Sequence, residues 1–420
     1  MKLIYVVIDG LGDLPVEELG HRTPLDVADT PNMDHLAKRG KTGMMYTVGK
    51  GIAPESDVAV ISILGYDPFK YATGRGVLEA VGIGVNVKDG DLALRCNFAT
   101  LGAGNEIIDR RVGRDLSTVE AGELSKAINK QVGLRAHAAS FEFRNTIGYR
   151  GVLVIHSKTG ALSSAITNTD PAYHRTKQFS VAEEAVEMTP RPCEPLDQTE
   201  AAQISAELVN EFTGKSHVIL EGHTINRRRV AEGRLKANTI LMRDAGHQLP
   251  RFFKIGKRYN VEFVSLVDMP VERGISTLAG MHPIDLPQPS QDFEEDCRLR
   301  AERLLDLLPA YDCFYIHIKG PDEPAHDGNA KRKTRLIALI DEYLIGPLLK
   351  DAPMENTVIC VTADHSTPCR LKAHSDDPVP IVISGGKVDA DDVTKFCESA
   401  CMKGSLGLLP QGVELMPILI

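Results

Sequence analysis

The stretch LIYVVIDG, residues 3–10, places six apolar residues directly before an aspartate and a glycine. A short, continuous and partly β-branched run is typical of a strand buried on both faces, as in a parallel sheet. The segment MDHLAKRG (33–40) follows, with Thr30-Pro31-Asn32 before it and Gly40 at its end, which predicts a helix. A buried strand followed by a helix predicts an α/β fold.

The same pattern returns in the C-terminal part of the chain. Three apolar runs are predicted strands, and a helix is predicted over 330–349, between the first two of them: CFYIHIKG (313–320), TVICVTAD (357–364) and VPIVISGG (379–386). The two ends of the chain therefore form one α/β core, with a mainly parallel sheet and helices on both faces.

The middle of the chain has a different character, with short predicted strands and few long helices. The predicted elements are strands at DLALRCNFAT (91–100) and GVLVIHS (151–157), a Pro-rich loop at 188–195, a helix at 198–214, and strands at HVIL (217–220) and ANTILMRDAG (237–246). We therefore predict a smaller inserted α+β domain over residues 72–238. The two parts of the core occupy residues 1–71 and 239–420.

Composition and charge exclude several classes of protein. The formal net charge of −9 does not fit a nucleic-acid binder. The first apolar run ends at Asp9, too early for a signal peptide, and no stretch approaches the roughly 20 apolar residues of a membrane helix. The eight cysteines form no CxxC pair, which is typical of reduced thiols. We expect a cytoplasmic protein that binds neither nucleic acid nor membranes.

Aspartates stand at or just beyond the ends of three predicted strands: Asp9, Asp322 and Asp364. Parallel strands place their ligand sites outside their carboxyl ends, so the three carboxylates are expected to converge, and like charges share a site only with cations. Three histidines lie near two of them in the sequence: His326, His365 and His374. Oxygen and imidazole ligands together suit Mn²⁺, Zn²⁺ or Co²⁺ better than Mg²⁺.

A candidate nucleophile stands in GIAPESDVAVISILGYDP (51–68), where Ser56 precedes an apolar run that predicts a helix. The backbone N–H groups at a helix N-terminus favour an anion. A serine hydroxyl becomes a good nucleophile only beside a base or a metal ion. Ser56 is therefore interpreted as a nucleophile, and the alternative is a simple helix cap.

Segments along nearly the whole chain resemble the archaeal-type cofactor-independent phosphoglycerate mutases of the alkaline phosphatase superfamily. They include VIDGLGD (7–13), SDVAVISILGYDP (56–68), YATGRGVLEAVGIGV (71–85), KGPDEPAHDG (319–328) and TADHSTPCRLKAHSDDPVP (362–380). The resemblance implies an alkaline-phosphatase-like core that carries a substrate-binding insertion. It also implies a glycolytic and gluconeogenic enzyme that interconverts 3-phosphoglycerate and 2-phosphoglycerate without 2,3-bisphosphoglycerate.

The resemblance further implies two divalent metal ions, with Mn²⁺ expected and Co²⁺, Zn²⁺ or Mg²⁺ as alternatives. One ion is expected on Asp322, His326 and His374. The other is expected on Asp9, Ser56, Asp364 and His365, and Ser56 is expected to carry the phosphoryl group as phosphoserine.

Phosphoglycerate carries a phosphate and a carboxylate, and arginine recognises both with paired hydrogen bonds. The candidate substrate-binding residues lie mostly in the insertion, with Arg110 and Arg111 considered first: Arg75, Asp109, Arg110, Arg111, Arg150 and Arg243. We expect the insertion to hold glycerate and to close over the site. The run Arg227-Arg228-Arg229 is interpreted as a solvated loop.

Two alternatives remain open from the sequence. A phosphatase, or a mutase for another phosphorylated substrate, would have the same metal-binding core. A non-catalytic binding protein of this fold would have lost the serine or a metal ligand, and every one of these residues is present.

Overall fold

The computed structural model describes residues 1–176, 179–182, 188–290 and 292–420. The chain divides into two compact units. Residues 1–72 and 251–420 form the core unit, and residues 73–250 form the inserted unit. In the described parts of the chain, no helix combines the length and apolar composition needed to cross a bilayer.

The strands and helices have the following bounds. The strands are β1 (Lys2–Ile8), β2 (Gly40–Met45), β3 (Leu92–Leu101), β4 (Ile107–Asp109), β5 (Ala139–Asn145), β6 (Arg150–Ser157), β7 (Tyr173–Thr176), β8 (Phe179–Ala182), β9 (Thr239–Gly246), β10 (Phe263–Val267), β11 (His282–Pro283), β12 (Cys313–Ile318), β13 (Thr357–Thr362), β14 (Val379–Gly385) and β15 (Gly407–Leu409). The α-helices are α1 (Pro24–Val27), α2 (Pro31–Lys38), α3 (Ser56–Ile63), α4 (Pro68–Tyr71), α5 (Arg75–Gly82), α6 (Thr118–Gln131), α7 (Glu200–Glu221), α8 (Thr224–Ala231), α9 (Ile255–Tyr259), α10 (Pro270–Ala279), α11 (Phe293–Leu307), α12 (Asp322–Asp327), α13 (Ala330–Ile340), α14 (Gly346–Asp351), α15 (Glu398–Cys401) and α16 (Met416–Leu419).

The core unit contains an eight-stranded sheet in the order β11-β10-β12-β1-β13-β14-β2-β15. Neighbouring strands pair in parallel except on the two sides of β14. Every residue of β12 and β13 is buried, so both faces of these strands are covered. This explains why they are mostly apolar rather than alternating, and it confirms the mainly parallel α/β core predicted from the sequence.

The inserted unit is built on an antiparallel sheet. β3 pairs with β4, β6 and β9, and β6 pairs with β5. Aromatic rings fill its core: the Phe143 ring centroid lies 5.6 Å from that of Phe98 and 5.8 Å from that of Phe212, which α7 supplies. An antiparallel sheet with segregated helices is the α+β character expected for the insertion.

The sequence places the end of the insertion at residue 238, whereas the inserted unit extends to Pro250. The difference comes from β9, which pairs along β3 with Phe98 opposite Ile240. This pairing joins segments far apart in the sequence, so local composition does not reveal it. The start of the insertion differs by one residue from the predicted position.

The predicted strand HVIL (217–220) is wrong, because these residues form the last turn of α7. Ser216 and Leu220 are buried four residues apart, whereas Val218 between them is 73% exposed. That is the spacing of a helix face, and α7 continues through Gly214, where the predicted helix ends, as far as Glu221. Three apolar residues after a histidine are too short a run to distinguish a strand from a continuing helix.

Candidate metal centre

The carboxyl ends of three adjacent parallel strands carry the aspartates predicted from the sequence. β1 lies between β12 and β13 and pairs in parallel with both. Asp9 directly follows β1, Asp364 stands two residues beyond β13, and Asp322 begins α12 after β12. Because parallel strands end at the same edge of a sheet, these carboxylates reach one place from distant parts of the chain.

We call Asp9, Ser56, Asp364 and His365 the serine set. The His365 Nε2 atom lies 3.2 Å from Ser56 Oγ, 3.3 Å from Asp9 Oδ1 and 3.3 Å from Asp364 Oδ2. Ser56 is the first residue of α3, which confirms the helix start predicted from the sequence. All four side chains are buried, so the serine hydroxyl, an imidazole nitrogen and two carboxylates meet away from bulk water.

We call Asp322, His326 and His374 the histidine set. Asp322 Oδ2 lies 3.4 Å from His326 Nε2, and Asp322 Oδ1 lies 3.5 Å from His374 Nε2. Asp322 and His326 are four residues apart on α12 and so share one helix face. The His374 ring stacks on the His365 ring with 3.7 Å between centroids, so the two sets adjoin.

The backbone fixes the orientation of two rings in the histidine set. His326 Nδ1 lies 3.0 Å from the carbonyl oxygen of Lys372, and His374 Nδ1 lies 2.8 Å from that of Pro54. A carbonyl oxygen only accepts, so each Nδ1 donates, and Nε2 faces Asp322, where it donates to the carboxylate when protonated and offers its lone pair to a metal ion when deprotonated. Metal-binding histidines are generally held in this way.

Several atoms of this region lack the partners that buried polar groups normally have. Asp9 Oδ1, Asp364 Oδ2 and His317 Nε2 are buried and have no hydrogen-bond partner within the described ranges. An uncompensated buried charge is costly, so native proteins pair it or use it to bind a metal ion. We call these buried polar atoms without hydrogen-bond partners open valences, and we interpret them as an indication that a cation binds here.

In each of two groups, the ligand atoms lie within 4.8 Å of one another and are close enough to share a cation: those of Asp322, His365 and His374, and those of Asp9, His317 and Asp364. In a tetrahedral site with metal–ligand bonds near 2.0–2.1 Å, neighbouring ligand atoms lie about 3.3 Å apart. The separations of 3.2–3.3 Å in the serine set and 3.4–3.5 Å in the histidine set are close to this value. Carboxylate, imidazole and hydroxyl donors also match the chemistry of Mn²⁺, Co²⁺ or Zn²⁺.

The surroundings keep the metal-facing carboxylates ionised. Burial raises the pKa of Asp364, but the charges of His365, His317 and Lys319 hold it well below its ordinary value. Burial also raises the pKa of Asp322, and hydrogen bonds with His326 and His374 outweigh that effect. An ionised carboxylate is the form that binds a metal ion.

Sequence reasoning missed three residues beside Asp9. Lys319 Nζ lies 2.9 Å from Asp9 Oδ2 and 2.7 Å from Glu272 Oε1. His317, within β12, places Nε2 3.4 Å from Asp364 Oδ2. The sequence signal for His317 was a lone polar residue inside an apolar strand, whereas Glu272 on α10 gave none. Lys319 holds the outer oxygen of Asp9, so Oδ1 faces the site.

Two of the predicted substrate-binding residues, Arg75 and Arg243, lie close to other charges or rings of the inserted unit, beside Arg95, which sequence reasoning missed. Arg75 Nε pairs with Glu79 Oε1 at 2.8 Å, and Arg95 Nε lies 3.4 Å from the same oxygen. Arg243 lies over the Tyr173 ring, 3.7 Å from its centroid. Burial and the charges of Arg75 and Arg243 lower the pKa of Arg95 to about 10, which shows that three guanidinium groups are gathered here.

The other predicted substrate-binding residues make local contacts. Arg110 donates to both carboxylate oxygens of Asp170, at 2.8 and 2.6 Å. Asp109 accepts backbone N–H groups of Arg111 and Gly113 and thereby shapes the turn. Arg150 lies over the ring of the preceding residue, Tyr149, 4.9 Å from its centroid.

Arg227 and Arg228 are exposed, as a solvated run implies, but the prediction of a loop and of a solvated Arg229 is wrong. These residues lie on α8, and the Arg229 side chain is completely buried. Its guanidinium donates to Leu235 O, Glu120 Oε2 and Asp115 Oδ1. A buried partner on distant α6 decides this outcome, and no local pattern reveals it.

Comparisons with known proteins identify the family of the chain. A family model described as 2,3-bisphosphoglycerate-independent phosphoglycerate mutase matches residues 37–226. The chain is 43% identical over 424 residues to a protein of that name from Aeropyrum pernix, covering 99% of this chain and 98% of the relative. A structure of a protein from Pyrococcus horikoshii aligns with a TM-score of 0.79 at 31% identity, covering 100% of this chain and 96% of that one. A cofactor-independent phosphoglycerate mutase from Thermoplasma acidophilum aligns with a TM-score of 0.62 at 31% identity, covering 100% and 98%.

Proposed function

The chain belongs to the 2,3-bisphosphoglycerate-independent phosphoglycerate mutases, and from this membership we propose how its residues interconvert 3-phosphoglycerate and 2-phosphoglycerate. The reaction moves one phosphoryl group between two oxygens of glycerate. Ser56 accepts the group and returns it, so the enzyme needs no bisphosphorylated cofactor.

One observation carries the assignment of Ser56. Its hydroxyl lies at the N-terminus of α3 and 3.2 Å from His365 Nε2, where Asp9 and Asp364 also converge. In the forward step, Ser56 Oγ bonds to phosphorus as the bond to substrate O3 breaks, and glycerate gains the proton that the serine loses. The reverse of this step, with O2 as acceptor, yields 2-phosphoglycerate and restores Ser56. Backbone N–H groups at the helix start favour the anionic phosphoryl group.

We assign one divalent ion to the serine set and one to the histidine set, with Mn²⁺ as the expected metal. Ions held there supply positive charge beside the Ser56 hydroxyl and the phosphoryl oxygens. The open valences of Asp9 and Asp364 support the assignment to the serine set. The Nδ1 hydrogen bonds of His326 and His374 support the assignment to the histidine set.

We assign the anionic groups of the substrate to Arg75, Arg95 and Arg243. Like charges gathered within a protein favour an anionic ligand. Arg95 adds a second argument, because its buried Nε has no hydrogen-bond partner in the described part of the chain. Arg110, by contrast, is bound to both oxygens of Asp170, so we consider it a weaker candidate for substrate binding. Asp109, Arg111 and Arg150 remain candidates from the sequence.

The test measures both possible products in one tube. Metal-depleted enzyme reloaded with Mn²⁺ is incubated with 3-phosphoglycerate, and 2-phosphoglycerate and free phosphate are assayed together. We expect 2-phosphoglycerate to dominate and acid-quenched enzyme to carry phosphate on the peptide containing Ser56. Release of free phosphate without 2-phosphoglycerate would identify a phosphatase instead.

A further inference from the structure

Thr367 lies two residues beyond His365, and its side chain is completely buried. Its Oγ1 atom lies 2.7 Å from Asp322 Oδ1, in the histidine set. The same oxygen lies 3.0 Å from His365 Nδ1, in the serine set. One hydroxyl group therefore contacts a member of each ligand set.

The direction of these two hydrogen bonds follows from their chemistry. A hydroxyl has a single hydrogen, and an ionised carboxylate can only accept. Thr367 therefore donates to Asp322 and must accept from His365. This keeps a proton on His365 Nδ1, so in the neutral ring that binds a metal ion the lone pair is on Nε2, the atom that faces Ser56, Asp9 and Asp364. The same hydroxyl thus fixes a tautomer in one set and a carboxylate rotamer in the other.

The backbone of Thr367 is itself held firmly. Its N–H donates to the carbonyl oxygen of Gly12 at 3.0 Å. Buried Lys333 donates to Thr367 O at 3.0 Å and to Gly12 O at 3.1 Å, and it pairs with Asp13 Oδ2 at 2.8 Å. Lys333 therefore joins the loop after β1 to the loop after β13, and Thr367 has little freedom to move.

Gly10 shows how closely the chain packs around this hydroxyl. A Cβ atom at Gly10 would lie 2.8 Å from Thr367 Oγ1 and 2.9 Å from Asp322 Oδ1. Its φ of +62° also disfavours any residue with a side chain. Meanwhile its N–H donates to Asp364 Oδ1 at 3.1 Å. The glycine that follows Asp9 thus leaves room for the bond between Thr367 and Asp322.

From these contacts we propose that Thr367 is a positioning residue that couples the two metal sites through one hydroxyl group. The inference rests on the proposed function, because it takes the serine and histidine sets as metal ligands. Loss of the hydroxyl frees both the His365 ring and the Asp322 carboxylate. Removing such an outer partner typically lowers metal affinity about 10- to 100-fold. Here the loss should affect both ions.

The experiment is a calorimetric titration of metal-free protein with Mn²⁺, using Thr367→Val, Thr367→Ser and Thr357→Val. Valine has the shape of threonine without the hydroxyl, and serine keeps the hydroxyl. Thr357 is the matched control, since it is also buried, lies on β13 and has no hydrogen-bond partner for Oγ1 among the described residues. We expect Thr367→Val to weaken both ions, Thr367→Ser to restore both, and Thr357→Val to match wild type.

The outcomes separate this inference from the proposed function. Wild type that binds no Mn²⁺ would overturn both. Wild type that binds two ions, with a Thr367→Val variant that loses affinity for one ion or neither, would overturn the coupling alone. The unfolding temperature of each metal-free variant checks that the fold is intact. If valine prevents folding, Thr367→Ala removes the same hydroxyl and should weaken Mn²⁺ binding at both sites in the same way.

Discussion

Buried charges occur in both units, but they are satisfied in opposite ways. In the inserted unit, each guanidinium nitrogen of Arg229 donates to an oxygen, and Glu120 also accepts from the backbone and side chain of Ser117. In the core unit, Asp9 Oδ1 and Asp364 Oδ2 are equally buried and have no hydrogen-bond partner within the described ranges. A buried charge whose partners are complete serves the fold, whereas open valences indicate a ligand.

The largest effect is expected at Ser56, the proposed nucleophile, which lies beside the open valences of Asp9 and Asp364. Ser56→Ala should lower the mutase rate more than about 10⁴-fold, or about 5.4 kcal/mol, because it removes the hydroxyl that we propose accepts the phosphoryl group. Ser62→Ala on the same helix is the control, since Ser62 is buried and its Oγ has no partner in the described chain. An Ser56→Ala enzyme with near-normal turnover would remove Ser56 from the mechanism.

The second prediction tests the buried charge of the inserted unit whose hydrogen-bond partners are complete, Arg229. Arg229→Met leaves Glu120 and Asp115 without a buried partner and should lower the free energy of unfolding by about 3–5 kcal/mol. Denaturant titration measures this loss, and Mn²⁺ affinity should stay at the wild-type value. Exposed Arg298→Met is the control, because its pair with Glu294 is solvated and worth little. An Arg229→Met variant with altered Mn²⁺ affinity and unchanged stability would show that Arg229 serves metal binding rather than the fold.

Metal removal tests the open valences directly. With free Mn²⁺ at 100 times its dissociation constant, chelation should lower the free energy of unfolding by about 2.7 kcal/mol per site. Asp9→Asn should reduce this response because it removes a charge from the serine set. Glu120→Gln, in the inserted unit, should respond to chelation like wild type. Equal unfolding curves with and without chelator would show that the carboxylates do not bind a metal ion.

The fourth prediction compares two arginines within the inserted unit. Arg229 has a complete set of acceptors, whereas Arg95 Nε makes no hydrogen bond in the described chain and has only an ion pair with Glu79 Oε1 at 3.4 Å. Arg95→Met should therefore lower kcat/KM about ten- to a hundredfold, the value of a lost charge-assisted hydrogen bond of about 1.5–3 kcal/mol. Arg144→Met, at an exposed position, is the control.

A product ratio sharpens the test of the arginine assignment. Glycerate held less firmly escapes more often, so the ratio of free phosphate to 2-phosphoglycerate should rise in Arg95→Met. The double variant Arg110→Ala, Arg111→Ala should change this ratio less, since Arg110 is bound to Asp170. The opposite order would return the assignment to Arg110 and Arg111.

The smallest effect is a pH dependence of the inserted unit. Burial raises the pKa of Glu120, but hydrogen bonds from Ser117 and Arg228 and the charge of Arg229 lower it to about 2. Because the folded-state pKa is depressed, this stability is present above the unfolded value of 4.5 and is lost as pH falls toward 2. Solvent screens part of the network, so we expect about 1 kcal/mol.

Denaturant titrations of wild type and Glu120→Gln between pH 6 and about pH 2.5 isolate this contribution. The stability difference between the two proteins should shrink as pH falls below about 5, because the glutamine cannot titrate. A difference that stays constant with pH would show that the Glu120 charge does not stabilise the fold.

The sequence predicted the elements whose cause is local. Mostly apolar runs that end near aspartates form β1, β12 and β13. A strand buried on both faces needs apolar residues at successive positions, so its sequence is recognisable. The start of α3 at Ser56 was also readable from the apolar run behind it. From strand ends and residue types alone, the convergence of Asp9, Asp322 and Asp364 on one sheet edge could be anticipated.

Only the tertiary structure decided which polar groups meet. Because β9 pairs with β3, the inserted unit extends to Pro250 rather than residue 238. The segment HVIL (217–220) forms part of helix α7 instead of a strand. Lys319, Thr367 and Arg229 took their roles from partners tens to hundreds of residues away. A strand or helix is determined by the spacing of its own residues, but a hydrogen bond between distant loops is determined by how the whole chain packs. For that reason the sequence located the candidate metal ligands, and the fold alone showed which groups hold them in place.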